Sequence, residues 1–168
     1  MTDTEEQAAT VSDTDLVHLR RCVELAEEAV AAGDFPFGSV LVGGDGTVLA
    51  EERNRETSAG DPTSHPEFEL ARWAATHLNP AERAAATVYT SGEHCPMCAA
   101  AHGWVGLGRI VYVTSSAQVG RWLAELGVSP ARVRPLSVLD IVPGAEVAGP
   151  VPGLDERVHE LHRRFRSR

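Results

Sequence analysis

Lysine is absent from this 168-residue chain, so all 15 of its Lys/Arg-type cations are arginines. That absence removes Schiff-base chemistry on a lysine amine and the lysine of phosphate-gripping loops. Cysteine is scarce as well. Cys22, Cys95 and Cys98 are the 3 present, an odd number that does not suit the disulfide framework of a secreted domain. No apolar run approaches the roughly 20 residues that cross a bilayer. The opening stretch "MTDTEEQAATVSDTD" is acidic and polar, unlike a signal or transit peptide, so a cytoplasmic location without membrane attachment is expected. Positive charge is short overall, with a formal net charge of −9. This argues against nucleic acid as a partner, because a polyanion needs a basic footprint. The tail "HELHRRFRSR" is the local exception. It reads as the end of a terminal helix, whose arginines suit the negative pole of the helix dipole.

What remains is the composition of an ordinary globular domain, 43% hydrophobic and 23% charged. We read one domain over 1–168, with a disordered tail at 1–12 and a C-terminal helix at 154–168. "DTDLVHLRRCVELAEEAVAAG" places Leu16, Leu19, Val23, Leu25, Ala26 and Val30 near helical spacing, with Asp13 or Thr14 to cap it and Gly33 to end it. Cys22 falls among the core positions. "GSVLVGGDGTVLAEERN" reads as a hairpin around Gly43-Gly44-Asp45-Gly46. A helix from His65 is closed by Asn79-Pro80, followed by a strand at 86–91 and a helix over Pro96–Trp104. Then come a strand in "GRIVYVTSS", a helix in "AQVGRWLAELG", a last strand in "VRPLSVLDIV" and a last helix in "LDERVHELHRRF". The order α-ββ-α-β-α-β-α-β-α predicts an α/β fold, a three-layer α/β/α sandwich on a mixed central sheet of about five strands.

The chemistry concentrates at "TSGEHCPMCAAAHGW" (90–104) and "DPTSHPEFE" (61–69). A Cys-x-x-Cys pair alone is ambiguous between redox and metal roles, and no thioredoxin-like setting supports the first. For a metal, His65 offers a third ligand from another element. Pro66 directly after it places His65 at a helix N-terminus. Cys95 and Cys98, with Pro96 between them, begin a second helix. Two positive helix ends could converge there and stabilise two thiolates. Glu67, two residues after His65, can reach a water on such a metal. Three ligands with an open fourth position form the catalytic arrangement of zinc rather than the closed structural one. The competing reading is a structural zinc held by the cysteines with His94 or His102, which leaves His65 and Glu67 unused. Trp73 and Trp122 read as core or subunit contacts. His18, His77, His159 and His162 read as solvent-facing or hydrogen-bonded.

His-x-Glu followed by Cys-x-x-Cys is the signature of the zinc deaminases. From about Phe35 to Val113 the chain resembles the cytidine/deoxycytidylate deaminase superfamily, in the branch of guanine deaminases, cytosine deaminases and tRNA adenosine deaminases. "FPFGSVLV", "DPTSHPE" and "GEHCPMCAAA" carry the resemblance. It implies a cytidine deaminase-like fold, Zn2+ on His65, Cys95 and Cys98, and Glu67 as proton shuttle. It further implies substrate contacts from Phe37 and Asn54, and contact of Trp104 with the substrate or a partner subunit. His94 stands where the branch carries proline and is expected in the pocket, where it would alter substrate choice. Glu125 is the candidate for a second proton shuttle. The implied activity is hydrolytic deamination of a small amino-heterocycle, a free nucleobase or nucleoside of guanine or cytosine type, by a homodimer. A tRNA adenosine-type deaminase and a non-catalytic zinc protein are the alternatives.

Overall fold

The computed structural model describes residues 10–168. Of the tail expected at 1–12, residues 1–9 lie outside the described residues, whereas Val11 packs on the core and Ser12 caps the first helix. The elements are α1 (Asp13–Ala31), β1 (Gly38–Val42), β2 (Val48–Arg53), α2 (Glu56–Ala59), α3 (Pro66–His77), α4 (Pro80–Ala85) and β3 (Thr87–Gly92). They continue with α5 (Pro96–Val105), β4 (Ile110–Thr114), α6 (Ser116–Glu125), α7 (Val138–Ile141), β5 (Val147–Ala148) and α8 (Leu154–Arg166).

The sheet runs β2-β1-β3-β4-β5, with β1 antiparallel to both neighbours and β3, β4 and β5 parallel. The mixed five-stranded sheet expected from the element order is present. All of β1 is buried, which is the pattern of a strand covered on both faces. Its side chains alternate between two clusters. Val40 and Val42 join Tyr89, Val111 and Val113 beneath α1 and α8. Leu41 joins Val88, Leu70 and Ala74 beneath α3 on the other face. α1 has no basic residue in its last turn to offset its dipole, so burial must hold it. Leu19, Val23, Leu25 and Val30 are at most 5% exposed, and each contributes roughly 1.5–3 kcal/mol.

Two local choices differ from the expected pattern. The N-cap of α1 is Ser12 rather than Asp13 or Thr14, because its hydroxyl and the Asp15 carboxylate form a reciprocal capping box. The last strand is not at "VRPLSVLDIV". Ser137 and Asp140 form another capping box there and wind Val138–Ile141 into α7. The fifth strand comes later, at Val147–Ala148, where Ile110 and Val111 pair with it. Asn79 ends α3 as expected, but it also caps the unforeseen α4 through Glu82.

Buried polar contacts tie the layers together. Asp15, 3% exposed, accepts hydrogen bonds from Tyr89 Oη at 2.8 Å and from Arg109 at 2.8 and 3.0 Å. Burial alone would raise its pKa, but Arg109, Ser12 and Tyr89 outweigh that and hold the carboxyl well below the usual range. At Gly38 a Cβ would lie 2.4 Å from Leu25 Cβ and 2.5 Å from the Cys22 carbonyl. Only glycine lets α1 approach β1 this closely. Cys22 is fully buried there, as expected of a core residue. Trp73 and Trp122 pack on the two core faces. Among the described residues, no helix is long and apolar enough to cross a membrane.

Candidate metal centre and pocket

The parallel strands β3 and β4 end on the same side of the sheet, where open α/β sheets usually place their ligands. The chain leaves β3 at Gly92 and enters α5 at Pro96. Cys95 is the N-cap of α5 and His65 the N-cap of α3, each followed by proline. Both caps have extended backbone, and neither side chain caps its own helix. The two side chains are thereby free to meet. Cys98 joins them from the first turn of α5, fully buried.

His65 Nδ1 lies 3.5 Å from Cys95 Sγ and 3.6 Å from Cys98 Sγ, and the two sulfurs are 3.5 Å apart. A tetrahedral zinc with bonds of about 2.0–2.3 Å requires ligand-to-ligand edges of roughly 3.4–3.8 Å. The donor set therefore fits zinc in type, number and spacing. His94 and His102 are not part of the cluster. Charge agrees with geometry. The Cys98 thiol, then His65, draw the Cys95 pKa down to about 4 against the effect of burial. Cys98 is pushed up by Cys95 and by its own burial. Burial disfavours a charged His65 ring, yet Cys95 and Glu56 outweigh it and lift its pKa to about 10. A divalent cation here would displace those protons and take both thiolates.

Glu67 is the second residue of α3 and only 5% exposed. Its Oε1 accepts from Thr90 Oγ1 at 2.6 Å and faces Ser39 Oγ at 3.2 Å. The two hydroxyls are 2.8 Å from each other. One carboxylate oxygen is thus fixed from the sheet, and among the described residues no hydroxyl donates to Oε2. Burial raises the Glu67 pKa above its ordinary 4.5, against the opposing Thr90 bond. Ser39 and Thr90 were not foreseen. Their signal was two inward polar residues on strands otherwise read as hydrophobic.

A cavity of about 500 Å³ opens over this cluster. Phe37, Pro62, Pro96, Met97, Val119 and Leu123 make much of its wall apolar, while Glu56, Glu67 and Glu93 supply carboxylates and, among the described residues, no arginine lines it. Glu93 accepts from the backbone N–H groups of Ser116 and Val138, at 2.8 and 2.9 Å. It therefore fastens α6 and α7 to the pocket's rim.

Of the expected substrate contacts, the structure brings Phe37 into the wall but not Asn54, His94 or Trp104. Asn54 is 1% exposed and bonded to Glu56. His94 is 1% exposed and meets the His102 ring edge-on at 5.3 Å. In the extended segment after β3, side chains alternate, so Glu93 and Cys95 face the pocket and His94 faces away. Trp104 is 90% exposed. Six residues beyond Cys98 is about 240° around an α-helix, which turns it off the ligand face. Glu125 is exposed on α6 and absent from the pocket wall. His162, expected to be solvent-facing or hydrogen-bonded, is 2% exposed with Nε2 unpartnered. It packs behind Phe37, with the ring centroids 5.4 Å apart.

Residues 12–114 match the profile of the cytidine and deoxycytidylate deaminase zinc-binding region. The chain is 40% identical over 106 residues to a guanine deaminase of Bacillus subtilis, spanning 61% of this chain and 67% of that protein. It is 32% identical over 109 residues to a tRNA-specific adenosine deaminase of Haemophilus influenzae, spanning 65% of this chain and 63% of that protein. A solved guanine deaminase structure from Nitrosomonas europaea shares the fold, with TM-score 0.67, 18% identity, and 95% and 87% of the two chains covered.

Proposed function

Because this chain belongs to the cytidine and deoxycytidylate deaminase family, we propose that it hydrolyses the exocyclic amine of a free nucleobase or nucleoside, of guanine or cytosine type, and releases ammonia. The observation that carries this reading is Glu67, buried and aimed from a fixed carboxylate beside three zinc-type ligands, at the base of a cavity of about 500 Å³. That volume lies in the range of small-molecule sites. A zinc ion on His65, Cys95 and Cys98 would supply a Lewis acid that acidifies water. Two thiolates neutralise most of its charge, so a protein base is still needed.

Glu67 fills that role. It takes a proton from the attacking water as the C–O bond forms at the amine-bearing carbon, and returns it to the nitrogen as the C–N bond breaks. Water and the aminated ring become the oxo ring and ammonia, with no oxidant or reductant. Phe37 and Met97 give the ring apolar contact.

The carboxylates in the wall and the lack of a lining arginine favour a neutral substrate over a polyanion. The test is ammonia release from a panel of aminated bases, nucleosides and tRNA at several salt concentrations. A neutral substrate is expected to show kcat/KM nearly independent of salt. The similarity to a tRNA-specific adenosine deaminase names the rival outcome, in which only tRNA is deaminated and its affinity falls steeply with salt.

The assembly is proposed to be a homodimer in which Trp104, 90% exposed near the end of α5, is covered by the partner subunit. Light scattering is expected to give twice the chain mass, and Trp104→Glu to halve it. A wild-type mass of one chain at every concentration would refute the dimer.

A further inference from the structure

The polar loop after β2 carries a carboxylate that the sequence analysis did not single out. Glu56 lines the pocket, its side chain 21% exposed. Its Oε2 accepts from Asn54 Nδ2 at 2.6 Å, and its own N–H donates to Asn54 Oδ1 at 3.0 Å. The same Oε2 lies 3.6 Å from His65 Nε2. The other ring nitrogen, Nδ1, is the one that faces both sulfurs. A histidine that gives Nδ1 to a metal must carry its remaining ring proton on Nε2. The acceptor facing that nitrogen here is Glu56.

The loop is built to hold the carboxylate still. Asp34, fully buried, accepts from the backbone N–H groups of Thr57 and Ser58 at 3.0 and 2.8 Å, and from Ser58 Oγ at 2.7 Å. Arg53 completes the anchor at 2.9 Å. A four-residue helix with no side-chain cap of its own is thus pinned to the domain directly after Glu56. Such an anchor would be surplus for a loop with no positional duty.

We propose that Glu56 is a positioning residue of the metal centre, which fixes the ring plane and proton of His65 while holding the Asn54 amide in one orientation. The inference rests on the reading of His65 as a zinc ligand, not on the identity of the substrate. A carboxylate behind a ligating histidine raises ligand basicity, and losing it typically costs 10–100-fold in metal affinity.

The test is zinc affinity by competition with a chromophoric chelator, on the full chain reloaded with zinc. Glu56→Ala is expected to weaken zinc binding about 10–100-fold, and Glu56→Gln, which keeps an acceptor oxygen, by less. Glu69→Gln removes an equal charge from α3, on a residue that pairs with Arg72, and is expected to leave zinc affinity unchanged. Melting of the zinc-free proteins separates folding from metal binding: Glu56→Ala leaves the buried Asn54 amide without its acceptor and should melt somewhat lower, yet stay folded at the temperature of the zinc titration. Unchanged zinc affinity in Glu56→Ala, or an equal loss in Glu69→Gln, would overturn the proposal. Because no turnover is measured, it can stand or fall separately from the deaminase reading, which the ammonia assay decides.

Discussion

Glu67→Gln is expected to fold, to retain zinc and to lose at least about 10²–10⁴-fold in turnover. The loss is large because one group serves two steps, proton removal from water and proton delivery to the leaving amine. The fold should tolerate the change. The Gln amide oxygen can still accept from Thr90, whose hydroxyl lies 2.6 Å from the native carboxylate, and the volume is conserved. Burial has raised the Glu67 pKa above 4.5. The sign follows from linkage: above the unfolded value the ionised carboxylate is costlier to bury than to leave in water, so Glu67 opposes folding at neutral pH. Its neutral isostere should therefore melt at the same temperature or higher in the zinc-free protein. Ammonia release, zinc content and melting temperature, measured on one preparation, check the three parts together. Ammonia release near the wild-type rate would remove Glu67 from the chemistry.

That variant also shows why the site was only partly legible in the sequence. His65, Glu67, Cys95 and Cys98 were readable because helix starts impose short-range spacing: a proline after each N-cap fixes where the side chains point. The hydroxyls that hold Glu67 come from β1 and β3, and Thr90 reaches it across 23 residues of chain. Nothing local marks them beyond polarity on a buried strand. Glu56 was hidden for a related reason. Nothing within "RNRETSAG" marks Glu56 as part of the site, and Asp34, 24 residues before Ser58, makes the segment a fixed support. A position in a motif does not by itself give a direction in space: strand alternation turns His94 away from the pocket wall, and helix rotation takes Trp104 off the ligand face, leaving a partner subunit as the other contact expected of it. The misplaced last strand has the same root. An apolar run in "VRPLSVLDIV" suits strand or helix, and the Ser137–Asp140 capping box decides for helix.

His65→Ala is expected to lose nearly all of about one zinc per chain, whereas His102→Ala should keep it. The contrast rests on what each ring touches. His65 Nδ1 faces both sulfurs within 3.6 Å, so its removal leaves two thiol ligands and an unfilled edge. His102 Nε2 meets the Gly108 carbonyl at 2.7 Å instead, and its ring is 2% exposed against His94. Truncating it strands that carbonyl and should destabilise the fold by about 1–3 kcal/mol, with the metal still held. The two variants thus separate in opposite columns, metal content for one and melting temperature for the other. The zinc-free wild type should also melt lower than the loaded protein, because a ligand that binds only the folded state adds its binding free energy to stability. In His65→Ala that metal-dependent increment should vanish, while in His102→Ala it should persist on a lower baseline. Zinc retained by His65→Ala and lost from His102→Ala would instead place the metal in a closed cysteine–histidine site on α5, and leave Glu67 without a water to activate.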